Sequence, residues 1–247
     1  MRWQFAGLSN PGRVRNQNED AFSLRLAERG IFILADGLGG HLGGKTASRL
    51  AVETLETSLE KSLECVDVTG LELWPFQLRA AIMGANQIVF YRSQQDLTLA
   101  GMGCTLLVAW FSEQELLIGH VGDVRGYLWR NSHLLRLTQD HSEVGQLVAK
   151  GYLAEAEARF HPFRHRVDRA VGLSPQLEVE IHSHAIQGSD RLLFCTDGLW
   201  NMLDDPCLAS LLAQESGLEA CTRRLEAEAN AAGGEDNLTL ILVELSA

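Results

Sequence analysis

The sequence predicts an α+β fold with antiparallel sheets, and three observations carry the prediction. Strand-like runs and helical stretches are segregated along the chain, without the regular strand–helix alternation of a doubly wound sheet. The apolar runs are short and separated by turn-like gaps, as in antiparallel neighbours. No repeat, low-complexity tract or Pro/Gly/Ser-rich linker divides the 247 residues, so a single domain spanning 1–247 is expected.

Each element has its own justification. Residues 3–8, 21–26 and 31–35 read as strands, the last a continuous apolar run typical of a strand buried on both faces. A helix follows over 45–64, where Ala47, Leu50, Ala51, Leu55, Leu59 and Leu63 fall on one stripe, and a second runs over 75–93. Strands at 102–110, 115–121, 125–129 and 134–137 look like a meander. After a helical and irregular segment over 142–171, strands resume at 177–185 and 191–196. Asp205-Pro206 starts a helix, with Asp205 as its cap and Pro206 at the first helical position. A helix over 218–232 ends at Gly233-Gly234, and 237–245 closes the chain as a strand.

Composition excludes several functions. Hydrophobic residues make up 46% and charged residues 21%, the profile of an ordinary globular chain. With 32 acidic residues against 21 Lys and Arg the formal charge is −11, so the overall field repels nucleic acid and anionic bilayers alike. No apolar run approaches the roughly 18 residues that span a membrane. The opening Met1-Arg2-Trp3-Gln4-Phe5 lacks the long apolar region of a secretion signal, and a cytoplasmic location is expected. The five cysteines are odd in number and never form a CxxC pair, which suggests neither a disulfide framework nor a thiolate zinc site.

The informative pattern is a carboxylate placed repeatedly where an apolar run meets glycine. Residues 31–35 end in Asp36-Gly37, 192–196 in Asp197-Gly198 and 117–122 in Asp123, while Glu235-Asp236 precedes the last strand. Strands that end at one sheet edge deliver such side chains together. Converging anions repel one another and resist desolvation unless hard divalent cations sit between them, and oxygen-only ligation selects Mg²⁺ or Mn²⁺ over zinc. Taken singly, an Asp-Gly after a strand is more often an ordinary turn than a ligand. In the 12–20 segment, Arg15 followed by Glu19 and Asp20 can place a bidentate phosphate donor beside a metal ligand, or form a solvated polar turn.

Seven blocks in order make the pattern specific: Arg15 with Glu19-Asp20, Ala35-Asp36-Gly37-Leu38-Gly39-Gly40-His41, Gly101-Met102-Gly103-Cys104-Thr105, Val121-Gly122-Asp123-Val124-Arg125, Leu137-Thr138-Gln139-Asp140-His141, Thr196-Asp197-Gly198-Leu199 and Asp236-Asn237-Leu238-Thr239. In order and spacing the chain resembles the metal-dependent type 2C protein phosphatases, in their compact bacterial form. The resemblance implies a central sandwich of two antiparallel sheets flanked by pairs of helices, a four-layer αββα arrangement, with the site at one edge. Carried over by motif, Asp36 would bridge two Mn²⁺ or Mg²⁺ ions, Gly37 would lend its carbonyl, and Asp197 and Asp236 would hold one ion. Glu19 would bind the other through water, with Asp20 and Asn237 behind the ligands. Asp123 would complete a third, weaker site that shares Asp197. Arg15 would grip the phosphoryl oxygens.

The implied activity is serine/threonine phosphoprotein hydrolysis by a hydroxide bridging the two ions, with no phosphoenzyme. His41 is the candidate proton donor, although Leu38 stands where eukaryotic relatives carry their histidine, and His41 can equally cap the helix that begins near Gly44. Val124, Leu38 and Cys195-Thr196 depart from the usual family residues without removing a ligand. A flap region is expected over about 142–176, where Arg159, Arg164, Arg166 and Arg169 concentrate positive charge; Arg164 and Arg166 are the candidates to recruit acidic phosphorylated segments. The expected partners are phosphoprotein substrates and an opposing serine/threonine kinase, with no nucleic acid, no membrane and a monomeric state. Two other classes remain open: a binding module that has lost catalysis, and a two-metal phosphodiesterase or nuclease.

Overall fold

The computed structural model describes residues 2–39, 42–65, 71–214 and 217–246. Among them are the strands β1 (Arg2–Asn10), β2 (Ala21–Ser23), β3 (Ile31–Leu38), β4 (Gly103–Phe111), β5 (Glu115–Val121), β6 (Arg125–Arg130), β7 (His133–Arg136), β8 (Glu180–Ala185), β9 (Arg191–Cys195) and β10 (Leu238–Ser246). The helices are α1 (Leu42–Cys65), α2 (Trp74–Gln95), α3 (Glu143–Ala149), α4 (Glu155–Ala158), α5 (Asp197–Trp200), α6 (Asp205–Gln214) and α7 (Leu218–Ala231). The strands form two antiparallel sheets, in the orders β1-β10-β9-β6-β7 and β2-β3-β4-β5-β8.

The side-chain alternation of each central strand explains the layering. Along β3, Ile31, Ile33 and Ala35 face a core shared with α1 and α2, where Ala51, Leu55, Leu59, Leu78 and Ile82 pack. Phe32 and Leu34 point the other way, into the space between the sheets, against Phe194, Ile241 and Val243. Along β10, Leu240 and Leu242 turn instead toward α6 and α7, meeting Leu208, Leu212 and Leu225. Both faces of these strands are therefore dry, which is why their sequences read as unbroken apolar runs. Each Leu, Ile or Phe so buried contributes on the order of 2 kcal/mol from removal of apolar surface.

The structure corrects four local expectations. The meander does not exist: β4–β5 and β6–β7 are hairpins of different sheets, and Gly122-Asp123-Val124 carries the chain from one sheet to the other. Asp36-Gly37 is not a turn but lies inside β3, paired with Thr105 and Cys104 of β4. The strand expected over 21–26 is only the three residues of β2. At α6 the cap is Asp204, whose carboxylate accepts from the Cys207 amide at 2.9 Å; Asp205 and Pro206 are already helical.

Candidate metal centre

Antiparallel pairing decides where the acidic residues meet. β3 and β5 both pair antiparallel with β4, so they run the same way and end at one edge of their sheet, bringing Asp36 and Asp123 there. β2 starts at that edge because Ala21 pairs with Ala35, which places Glu19 and Asp20 beside it. In the other sheet β9 ends where β10 begins, so Asp197 and Asp236 share an edge, and Asn10 at the end of β1 pairs with Leu238, so Arg15 follows close by. Residues more than two hundred positions apart in sequence are thus delivered to one rim.

The electrostatics record the convergence. The Asp36 carboxyl is pushed well above the usual carboxylate range by burial, and then by Asp20, Asp197, Asp123 and Asp236. Asp123 is raised likewise by burial and then by Asp197 and Asp140, against the pull of Arg125. Asp236 is raised by burial and by Asp197. Asp20 is raised by burial to about 7, although Thr196 Oγ1 and Thr239 Oγ1 donate to its Oδ2 at 3.0 and 2.7 Å. Its Oδ1 is buried without a hydrogen-bond partner. Surplus anionic charge of this kind, with an orphaned carboxylate oxygen beside it, fits a hard divalent cation held by oxygen ligands.

Two devices hold the pocket's walls. Asn237 Oδ1 accepts from the Glu19 amide at 2.8 Å, while Asn237 Nδ2 donates to the carbonyls of Pro11 and Gln17, so one buried amide pins the loop that carries Arg15 and Glu19. Glycine supplies the other. A Cβ at Gly37 would lie 2.4 Å from the Gly44 carbonyl oxygen and 2.5 Å from that of Glu19, and one at Gly44 would lie 2.0 Å from Glu19 Oε2. Only bare backbone lets α1 and β3 close this tightly around the Glu19 carboxylate.

Arg15 is more than half exposed and donates from Nη2 to Asp236 Oδ2 at 2.7 Å. It opens onto a cleft of about 300 Å³ whose walls include Arg159, Phe160, Arg164, His165 and Asn201. His165 Nδ1 stands 4.0 Å from Asp197 Oδ2. Of the two flap arginines singled out by sequence, Arg164 lines this cleft, with Nη2 3.8 Å from Glu235 Oε2. Arg166 does not; its guanidinium lies 4.0 Å over the Phe163 ring. Arg159, which anchors to the Asn201 carbonyl at 2.6 Å, takes the place expected of Arg166. His41 lies outside the described residues.

Sequence reasoning missed the support beneath Asp123. Arg125 makes a bidentate pair with Asp140, Nε to Oδ1 at 3.0 Å and Nη2 to Oδ2 at 2.6 Å, with both side chains almost fully buried. The guanidinium stacks 3.6 Å from the centre of the Trp200 ring, and Trp200 Nε1 donates to the Asp123 carbonyl at 3.1 Å. Asp140 and Arg125 both stood in the ordered blocks, but nothing local paired them. The thiols of Cys104 and Cys195 are fully buried and pushed far up by desolvation, which leaves neither as a thiolate nucleophile.

A fold of two antiparallel sheets between helix pairs is shared with known enzymes. The sequence model of the family described as Protein phosphatase 2C matches residues 13–239, and the chain belongs to that family. It is 35% identical over 235 residues to the serine/threonine phosphatase stp of Listeria welshimeri, an alignment covering 94% of this chain and 92% of that protein. It is 32% identical over 242 residues to the serine/threonine protein phosphatase PstP of Mycobacterium tuberculosis, covering 98% of this chain but 45% of the longer relative. Among solved structures, the Mycobacterium tuberculosis phosphatase PstP/Ppp superposes with a TM-score of 0.88 at 31% identity, covering 99% of each chain. The catalytic domain of PstP in complex with two manganese ions superposes with a TM-score of 0.86 at 29% identity, again covering 99% of each.

Proposed function

We infer that the chain is a metal-dependent serine/threonine phosphoprotein phosphatase, acting as one catalytic domain with the flap region at 142–176 beside its cleft. The observation that carries this reading is the convergence of Asp36, Asp123, Asp197 and Asp236, whose mutual repulsion and burial raise the first, second and fourth of these carboxyls. Asp36, Asp197 and Asp236, with the Gly37 carbonyl and Glu19, would hold two Mn²⁺ or Mg²⁺ ions, and Asp123 with Asp197 a third, weaker one. Bound there, such ions supply Lewis acidity that activates water at neutral pH and offsets charge on the transferring phosphoryl group.

The protein's own groups do the rest. Arg15, held by Asp236 yet largely exposed, keeps N–H donors free for the non-bridging phosphoryl oxygens, where charge gathers in the transition state. Asp20 and Asn237 fix the ligands from behind. The buried thiols of Cys104 and Cys195 do not compete with water as nucleophile, and the proposed phosphoryl transfer goes directly to water, without a phosphoenzyme. His41, from its place in the sequence alone, is the proposed proton donor to the leaving group. The substrates are phosphoproteins opposed to a serine/threonine kinase, and the enzyme is proposed to act as a cytoplasmic monomer; no helix among the described residues is long and apolar enough to cross a membrane.

The test is a metal-titrated assay. Wild-type protein should hydrolyse a phosphothreonine peptide in Mn²⁺, stop in excess EDTA, and leave bis-p-nitrophenyl phosphate nearly untouched; Asp197→Asn should lose Mn²⁺-dependent turnover. A preference for the diester would install the phosphodiesterase reading, and metal-independent turnover would remove the metal centre from the reaction. In the flap, Arg164→Ala should raise KM for an acidic phosphopeptide several-fold, more so at low salt, with little change for p-nitrophenyl phosphate.

A further inference from the structure

A second titratable cluster lies outside the ligand set. His120 on β5, His141 after β7 and Glu180 on β8 bring one ligand-type atom each to within 4.8 Å of one another. His120 is fully buried, and neither ring nitrogen has a hydrogen-bond partner. His141 is almost as buried; its ring lies 4.7 Å from that of His120, and its Nε2 stands 3.1 Å from Glu180 Oε2 without hydrogen-bond geometry, while that oxygen accepts from His182 Nε2 at 3.1 Å.

The bonding of His141 decides what this cluster is. Its Nδ1 accepts from the Gly122 amide at 3.1 Å, and its own amide donates to the Gly122 carbonyl at 2.8 Å. A neutral ring that accepts at Nδ1 carries its proton on Nε2, the nitrogen that faces Glu180. Burial, the largest influence, pulls His141 below the ordinary histidine value and so favours that neutral ring. An ion at Nε2 would have to displace this proton while Nδ1 still accepts, so the cluster reads as a ring held at Nδ1 and not as an ion cage.

The gripped residue is a sensitive one. Gly122 has φ +102°, and a Cβ there would lie 2.4 Å from Thr105. It is the first residue of the three-residue crossing between sheets, and the next is Asp123. Both polar backbone groups of Gly122 are spent on His141, so the direction in which Asp123 leaves β5 depends on that one side chain. We propose that His141 is a positioning residue for Asp123, with the negative charge of Glu180 beside Nε2 favouring the tautomer that keeps its proton there and the His120 ring packed against it. This extends the metal-centre reading to the weaker ion but acts on the backbone before any ion binds.

The test is therefore read first in the metal-free protein. His141→Phe keeps the bulk and removes the acceptor; hydrogen exchange at the Gly122 amide should quicken by about tenfold or more, in line with loss of one protecting bond. In Mn²⁺ titration calorimetry the weakest binding step should weaken several-fold, and kcat for p-nitrophenyl phosphate should fall with KM little changed. His141→Asn places an amide oxygen near the Nδ1 position and should restore Gly122 protection and much of kcat. Glu180→Leu should show a weaker version of the same pattern, and serves if His141→Phe does not fold. Wild-type exchange at Gly122 in His141→Phe or Glu180→Leu, or His141→Asn as impaired as His141→Phe, would overturn the proposal. Absence of phosphatase activity in every variant and in the wild type would instead count against the functional reading, leaving the exchange result to stand by itself.

Discussion

Replacing Asp36 by Asn should cut catalysis by about a thousandfold while making the metal-free protein more stable. Asp36 projects from inside β3 and is surrounded by Asp20, Asp123, Asp197 and Asp236, every one of them an acid that raises its pKa on top of burial. Without an ion, this is a cluster of like charges in a poorly solvated pocket, and removing one charge relieves it. Asn keeps the size, and its amide is a donor where Asp20 Oδ1 has none. If relief amounts to about 1 kcal/mol, the melting temperature in EDTA should rise by roughly 2–4 °C for a chain of this length. Mn²⁺ should reverse the order. A ligand at a hundred times its Kd stabilises the native state by about 2.7 kcal/mol, and the variant should lose most of that increment. Turnover of p-nitrophenyl phosphate should drop by about a thousandfold, the scale seen when a preorganised electrostatic partner of the transition state is removed. Thermal melts with and without Mn²⁺ check both halves. Lower stability in EDTA would mean that Asp36 is held by attractive partners and that the pocket is not a site of surplus negative charge.

How much of this was legible in sequence depends on the range of the interaction that decides each feature. Ile31–Ala35 and the last strand could be read because burial on both faces leaves an unbroken apolar run, a strictly local signal. The pairing of carboxylates at one rim was legible for a related reason: each acid follows or precedes such a strand, and antiparallel order puts those ends together. The crossing at Gly122-Asp123-Val124 was not, because a three-residue gap looks the same whether it joins hairpin partners or passes between sheets; what decides it is which core Tyr127 and Leu128 fill. Asp204 and Asp205 are both good caps by type, and it is Asp204 whose carboxylate accepts from the Cys207 amide. In the flap, charge density was visible, but whether Arg159 or Arg166 reaches the cleft turns on the Phe163 ring, which captures Arg166. The Arg125–Asp140 pair spans fifteen residues and two elements, so the two blocks containing it gave no hint of contact.

That pair carries the other large effect. Arg125 and Asp140 are each only 7% exposed in their side chains, so neither charge has water to fall back on. Asp140→Ala would leave a guanidinium whose remaining ion pair among the described residues is with Glu155, 3.2 Å away but itself far more exposed. An uncompensated buried charge of this kind costs about 3–5 kcal/mol, a large share of the roughly 5–15 kcal/mol that holds a domain together. Urea denaturation in EDTA should show that loss. The double variant Arg125→Met with Asp140→Leu removes both charges while roughly keeping volume, and should recover most of the stability, since a buried ion pair is often replaceable by apolar groups of similar size. Activity should not recover with it. Trp200 lies against the Arg125 guanidinium and donates to the Asp123 carbonyl, so the pair fixes the indole that fixes the ligand's backbone. If the double variant regains both stability and full turnover, the ion pair is a structural filler, and Asp123 takes its position from the backbone clamp on Gly122 alone.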